Sequence, residues 1–510
     1  MTAVSVGWVG VILPSIGALV AFGSTERWLR PLGATVGTLL LALAAFVLVH
    51  GPGLGLDPLS AWFFVPTCAV GGLGLWQSLS YLTHAQGADT SGQMADRTSQ
   101  ERTRMGSRLG LGSERRYVVL YLLFIASIVL VTVAPDLLVM WAAVEATTLA
   151  SVLLVAHEGT GQAVEAAWKY IAITAVGGLI ALFGTLAVLA GTHAALSMAP
   201  GSLVPHYPLS SRSQHLTLVG IAFVVIGYGT KVGLAPMYTW LPDAHSQAPA
   251  PVSGLLSGME LSVALYAMIR VLHLAAEGVG SFWPSHFLLA LGLLSVLTAS
   301  AFLVAQRDVK RLFAYSTVEH MGLIALGLGI GGLALWGALL GVWTHAAAKS
   351  LAFFGSGNIR KHYGTSRLPA IRRLRHVLPW STAFLGVAVW GLVGLPPFGS
   401  FVSEWLILTG AIGRGSVDTA VALVVAGLLA LVLIGFGARL AGRLLDSEPK
   451  PTVSLSGAEG TEWAPVERAG EVWTLGLLAA CTVVSGFAGL ALLRLWLPHV
   501  GTLLGGRVIP

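Results

Sequence analysis

The run Lys231-Val232-Gly233-Leu234-Ala235-Pro236-Met237-Tyr238-Thr239-Trp240-Leu241-Pro242-Asp243-Ala244-His245 closes an apolar stretch long enough to cross a bilayer. Pro236 and Pro242 each remove a backbone donor and clash with the preceding turn, so the helix is expected to break near Pro236 and again at Pro242. A break at membrane depth frees carbonyls and amides. Such groups are tolerated only where protein or a water-filled cavity satisfies them, and Lys231 stands about one turn before the interruption. The plainer alternative is a kinked helix end with a snorkelling lysine.

The surrounding composition fixes the class. Of 510 residues, 55% are hydrophobic and 10% charged, against roughly 25% charged in an ordinary soluble domain, and mean hydropathy is +0.79. The chain is therefore read as an all-α polytopic membrane protein with about fourteen transmembrane helices. Its net charge of +6 is no nucleic-acid signal in this setting. Two cysteines, Cys68 and Cys481, are too few for an iron–sulfur cluster, so redox chemistry is expected to belong to a partner.

Hydropathy places spans near 4–22, 34–50, 58–82, 117–134, 136–156, 165–190, 215–235, 248–274, 284–305, 313–332, 334–357, 378–412, 417–442 and 472–497. The first has no charged region before it and no small-residue cleavage site, and is expected to be retained. The polar insert from His84 to Arg116 reads as an exposed, partly mobile loop. Loops after odd-numbered spans carry most of the Lys and Arg, including Lys310, Arg311 and the stretch from Arg360 to Arg375; loops after even-numbered spans carry only Arg212, Arg270 and Arg414. The positive-inside rule then puts both termini outside the cytoplasm.

Short motifs recur five spans apart. Val144-Glu145 is echoed by Val318-Glu319, Lys169 by Lys349, and Gly233-Leu234-Ala235-Pro236 by Gly394-Leu395-Pro396-Pro397. An odd offset reverses orientation, so the expected arrangement is two inverted five-helix repeats, each with a broken helix. The organisation predicted is 1–116, N-terminal helices and a basic cytoplasmic loop; 117–274, a first half of the inverted repeat; 284–443, a second; and 444–510, a linker and last helix.

Ionisable residues inside lipid mark a pathway more often than a scaffold. Glu145 is too deep to snorkel and needs a cation, for which Lys231 is the natural choice; moving one away from the other lets the lysine release a proton. A purely structural buried pair would use the same residues. In the second half, His320, His345, Lys349 and Glu404 supply equivalent groups, His345 and Lys349 sharing one helix face. Pro396 and Pro397 precede Glu404 as a second break. His245, Glu260, Glu319 and Lys169 complete the candidate proton pathway, Glu260 being an extra acid without an assigned role. No metal site, catalytic triad or nucleotide loop is found, and the 63 glycines are explained by helix packing in lipid.

The strings Leu241-Pro242-Asp243-Ala244-His245-Ser246-Gln247-Ala248-Pro249-Ala250-Pro251-Val252-Ser253 and Arg307-Asp308-Val309-Lys310-Arg311-Leu312-Phe313-Ala314-Tyr315-Ser316-Thr317-Val318-Glu319-His320-Met321-Gly322 resemble the antiporter-like proton-conducting subunits of respiratory complex I, Mrp-type cation/proton antiporters and membrane-bound hydrogenases, most of all the F-component branch of hydrogenase 4. The resemblance implies that Glu145, Lys231, Lys349 and Glu404 take the family's positions in spans five, seven, eleven and twelve. Relatives often place a histidine in the eighth span where this chain has Ser257, which puts the central link in question unless Glu260 substitutes for it. The long lateral helix of the largest complex I relative is not expected.

The expectation drawn from residues and resemblance is a proton-translocating subunit, without catalytic residues, cofactor or metal of its own. It would sit in a bacterial-type inner membrane beside other subunits and a soluble catalytic module. Rival readings are a Na⁺/H⁺ antiporter subunit, the membrane half of an inorganic-carbon uptake complex with a zinc carbonic-anhydrase-like partner, and an assembly scaffold with a dead channel.

Overall fold

A computed structural model describes residues 6–51, 55–88, 113–194, 209–412, 415–437 and 469–503, with single positions 440, 442 and 467. Most of the polar insert expected between His84 and Arg116 lies outside the described residues, as do Arg439, Arg443, Lys450 and Arg468. Among the described residues the chain is helical throughout, with no strand, and is a multi-pass membrane protein.

Helices α1 (Val6–Gly23), α2 (Glu26–His50) and α3 (Pro58–Ala88) precede α4 (Glu114–Val133), α5 (Leu137–Val155) and α6 (Gly161–Thr192). The seventh crossing starts as α7 (Ser211–Val232), breaks, passes a 3₁₀ turn at Met237–Trp240 and resumes as α8 (Leu241–Gln247). The eighth is composite: α9 (Ala250–Leu255), a π turn at Leu256–Glu260, and α10 (Leu261–Val279). Then come α11 (Phe282–Ala305), α12 (Val309–Ile330), α13 (Leu333–Tyr363) and the short α14 (Leu374–Val377). The twelfth crossing is split into α15 (Pro379–Leu392) and α16 (Gly399–Ile412), and α17 (Ser416–Val432) and α18 (Ala469–Leu503) follow.

Twelve of the described segments are long and apolar enough to cross a membrane, against the expected fourteen or so. The difference has a local cause. Thr344, His345, Lys349 and Ser350 dilute the hydropathy of α13, and the break at Val393–Phe398 divides the twelfth crossing into two short pieces. The second crossing starts at Glu26 rather than near residue 34 and carries Pro31 inside the helix, where the Arg27 carbonyl goes without its i+4 donor.

Burial sorts the helices. The spanning window of α12 is wholly buried and that of α9–α10 94% buried, whereas α1, α2 and α18 bury a third of theirs and turn Leu19, Phe22, Val49 and Phe487 outward. The elements that carry ionisable residues are thus the interior ones. α3 and α13 are tied by a reciprocal pair: Trp62 Nε1 donates to the Leu339 carbonyl at 3.0 Å, and Trp343 Nε1 to that of Trp62 at 2.9 Å. Midway along α10, Arg270 pairs with Asp57 at the start of α3, donates to Ser60 Oγ at 3.0 Å and to Tyr266 Oη at 3.1 Å, and forms a clamp between the two helices.

Similar local features recur five crossings apart. The chain leaves α7 through Gly233 and α15 through Gly394, both in the left-handed region (φ +80° and +69°), and a second π turn, Leu433–Gly437, occupies the thirteenth crossing as Leu256–Glu260 does the eighth. Two residues counted as loop charges are not in loops. Arg270 belongs to the clamp just described, and Lys310 is buried in the first turn of α12.

Candidate functional site

The break after α7 is made by Gly233, Leu234, Ala235 and Pro236. Pro242 does not interrupt a helix: it stands in the first turn of α8, where a proline loses no intrahelical bond. Pro396 and Pro397 lie between α15 and α16.

Lys231, in the last turn of α7, is 3% exposed. Its Nζ lies 2.5 Å from Glu260 Oε1 and donates to Thr148 Oγ1 (2.5 Å) and Tyr170 Oη (2.8 Å). Glu260 Oε1 also accepts from Tyr170 Oη (2.7 Å) and Thr147 Oγ1 (2.9 Å), and Ser151 Oγ meets Tyr170 Oη at 2.8 Å. The buried cation expected to pair with Glu145 therefore pairs with Glu260. The π turn is the physical reason: one extra residue in the helical turn swings Glu260 towards the end of α7. Glu145 is half-buried within electrostatic range of both Lys231 and Glu260, and its carboxylate rests on Gly178 of α6. A Cβ at position 178 would stand 2.5 Å from Glu145 Cδ, so only glycine leaves the carboxylate its place. The Gly178 carbonyl is held by Trp141 Nε1 at 2.8 Å.

The second cluster has related parts. Lys349 Nζ, fully buried on α13, donates to Ser316 Oγ (2.7 Å) and the Phe313 carbonyl (3.1 Å) of α12. Glu319, one turn further along α12, is within electrostatic range of Lys349 and of Glu404. Glu404 on α16 lies against Gly394, where a Cβ would stand 2.7 Å from its Cδ, repeating the acid-on-glycine contact of Glu145 and Gly178. His320 Nε2 meets the Leu392 carbonyl at 2.9 Å, His345 Nε2 the Ser257 carbonyl at 3.1 Å, and the two imidazoles are 5.4 Å apart.

The π turn joins the clusters. Its Glu260 belongs to the Lys231 group, while its Ser257 offers a carbonyl to His345 and a hydroxyl to Thr317 Oγ1 at 2.7 Å. Where relatives are expected to have a histidine, this chain has a serine that contributes backbone and hydroxyl contacts. Along the row, Glu260 Oε2, both Glu319 carboxylate oxygens and His345 Nδ1 are buried without a protein partner. Neither His245 nitrogen makes a well-formed bond, although the Leu241 carbonyl one turn back is within electrostatic reach. Each such atom would cost about 1–3 kcal/mol if left dry, so the row is chemically suited to hold water.

Lys169 stands apart. Its side chain, in the third turn of α6, is 45% exposed and pairs with Glu165 (2.7 Å) and Asp243 (3.2 Å), and Arg311 pairs with the same Asp243 at 3.1 Å. Its neighbour Tyr170, about 100° further round the helix, is the one that enters the buried cluster. Thr147, Thr148, Ser151, Tyr170, Ser316 and Lys310 were not singled out from the sequence; the hydroxyls Thr147, Thr148 and Ser151, at helical spacing after Glu145, were the available signal.

The class that this fold and this row define is a polytopic helical membrane protein of the antiporter-like kind, with broken helices facing buried ionisable groups. The chain belongs to the NADH:quinone oxidoreductase/Mrp antiporter transmembrane family, whose profile matches residues 134–430, more than half of its length. It is 40% identical over 313 residues to a hydrogenase-4 component F homolog of Methylacidiphilum infernorum, over 58% of this chain and 65% of that relative. The chain thus spans somewhat under two-thirds of that relative's length. Its fold is similar to a chain of the Mrp complex from Dietzia sp. (TM-score 0.78, 20% identity, covering 100% and 99% of the two chains). It is also similar to a chain of respiratory complex I from Thermus thermophilus with bound NADH (0.76, 22%, 99% and 100%).

Proposed function

We propose that this chain is a proton-translocating subunit of a larger energy-converting membrane complex. The observation that carries the reading is the π turn Leu256–Glu260, which places one buried carboxylate on Lys231 and one backbone carbonyl on His345, joining two clusters of ionisable groups into one row. In this reading the first half comprises residues 117–274 and the second 284–443, flanked by 1–116 and 444–510. Relatives and structural neighbours named as parts of hydrogenase, Mrp and complex I assemblies support a multi-subunit setting. A soluble catalytic module, an inner-membrane location and termini outside the cytoplasm belong to the proposal.

Mechanistically, Glu260 holds a proton on Lys231 as ammonium. When Glu260 is drawn elsewhere the ammonium is an uncompensated charge in low dielectric, and it gives up the proton. Tyr170 and Thr148 orient the nitrogen while it is paired with Glu260. Glu145, close to both partners but bonded to neither, is the carboxylate that competes for the lysine. In the second half His345 and His320 hand a proton between Lys349 and the pair Glu319 and Glu404, the last acting as the releasing group.

The test is proton flux. The full chain, purified in its complex and reconstituted with pyranine inside the vesicles, is driven by a valinomycin-imposed potassium potential in sodium-free buffer. Lys231→Ala and Glu145→Gln are expected to lose flux while the complex still assembles. Wild-type flux in either variant sinks the assignment, and flux that appears only with added sodium favours the cation-antiporter alternative.

A further inference from the structure

Lys310 is a buried charge outside both clusters. Lys310, in the first turn of α12, is 1% exposed, and its Nζ donates to the Ala248 carbonyl at 2.5 Å. Ala248 ends the half-helix α8, three residues after His245. His245 is fully buried, makes no well-formed hydrogen bond through either nitrogen, and lies within electrostatic range of Lys310 and Lys349 alike. Lys349 in turn is held by the Phe313 carbonyl and Ser316 Oγ, one to two turns along α12 from Lys310.

On the other side is an open, charged cavity of about 1490 Å³. Asp243 and Ser246, which flank His245 in α8, line it, and so do Arg311, next to Lys310, and the Arg360–Glu158 ion pair (2.6 Å). Arg360, Glu158 and Asp308 are the charged groups within electrostatic range of Lys310. The polar cavity therefore reaches the residues next to two buried titratable groups, neither of which the Lys231 cluster uses. The arginine-rich loops around it place it on the cytoplasmic side.

We propose that this cavity is a cytoplasmic mouth of the second half of the row, and that Lys310 is the residue that takes up the proton there. The inference rests on the proton-conducting reading above. Lys310 as ammonium spends one N–H on Ala248 and has two left. It passes a proton through water to His245, becoming a neutral amine as the imidazole becomes imidazolium. The imidazolium releases its other proton towards Lys349 and returns to neutral. The amine is recharged by a proton from cavity water, so each cycle moves one proton and leaves both side chains as they began. The rings of Phe353 (5.6 Å from that of His245) and Phe313 (6.1 Å from that of Phe353) line the far side of this step and keep it from opening widely to solvent.

The rival role for Lys310 is a static cap on the C-terminal end of α8, where a cation opposes the negative helix end. Three variants separate the two in the flux assay on the reconstituted complex. Lys310→Arg keeps charge and donor but does not part with a proton; Lys310→Gln keeps a donor only; Lys310→His can carry a proton near neutrality. We expect Arg and Gln to fall below a tenth of wild-type flux, and His to retain flux with a pH profile moved towards the imidazole range. An Arg variant above half the wild-type rate overturns the proposal, as does a His variant as inactive as Gln, or failure of all three to yield assembled protein. Absence of flux in the wild type would instead overturn the parent reading of the chain.

Discussion

Glu260→Gln is the most informative single change. It keeps the volume and leaves an oxygen for Tyr170 and Thr147, so what it removes is the negative charge 2.5 Å from Lys231. With side chains 4% and 1% exposed, the pair is a buried one. Deleting one partner of such a pair costs about 3–5 kcal/mol, because the survivor is left charged and alone. At about 1.4 kcal/mol per factor of ten, any step that requires the ammonium form slows by a factor of about 10² to 4 × 10³. Pyranine-monitored flux in vesicles should fall to background, and resistance of the detergent-solubilised protein to denaturant should drop. The double variant Lys231→Met with Glu260→Leu removes both charges. It should recover stability to within about 1 kcal/mol of wild type, since well-packed apolar replacements of buried pairs are commonly neutral or better, yet flux should stay absent. Glu260→Gln conducting at the wild-type rate, or a double variant less stable than the single, would refute the argument that this pair is coupled and carries the proton.

Two further outcomes follow from the geometry. Gly178→Ala places a methyl on the Glu145 carboxylate and should cut flux on the order of tenfold to a hundredfold by displacing it; adding Glu145→Asp, one methylene shorter, should restore part of the rate, and no loss in Gly178→Ala would remove the acid-on-glycine contact from the pathway. His157, just beyond the end of α5, has its imidazole pulled down to about 4, by burial first and then by Arg116. Its folded form is therefore neutral where the unfolded chain is already protonated, so stability is intact above about pH 6.5 and lost as pH falls towards 4, by about 3 kcal/mol in total. Melting curves of wild type and His157→Gln should converge across that window; parallel curves would show that His157 contributes nothing to it.

Much of this was legible in the sequence for a physical reason: lipid penalises charge so heavily that Lys231, Lys349 and Glu404 announce themselves, and Pro236 and the Pro396-Pro397 pair locate two breaks, although Pro242 starts a helix instead. Pairing was not legible. Glu145 lies two spans before Lys231 and Glu260 one span after it, and the choice between them depends on a π turn that leaves no period in the hydropathy of Leu256-Ser257-Gly258-Met259-Glu260. Lys169 was misplaced because an apolar run says nothing about which way a helix faces: Trp168 looks outward, Tyr170 inward, and the lysine between them to the charged rim. Lys310 was hidden by company, since a lysine beside Arg311 reads as a loop charge until its burial is seen.

The clamp of Arg270 on Asp57, Ser60 and Tyr266 has a mechanical corollary. It rivets α10 at mid-length, and the uneven winding at Leu256–Glu260, about ten residues back, is the compliant section of that crossing. A rod pinned at mid-length yields where its winding is loose. Glu260 on Lys231 and the Ser257 carbonyl under His345 share this one turn of backbone, so a displacement of the first is expected to shift the second.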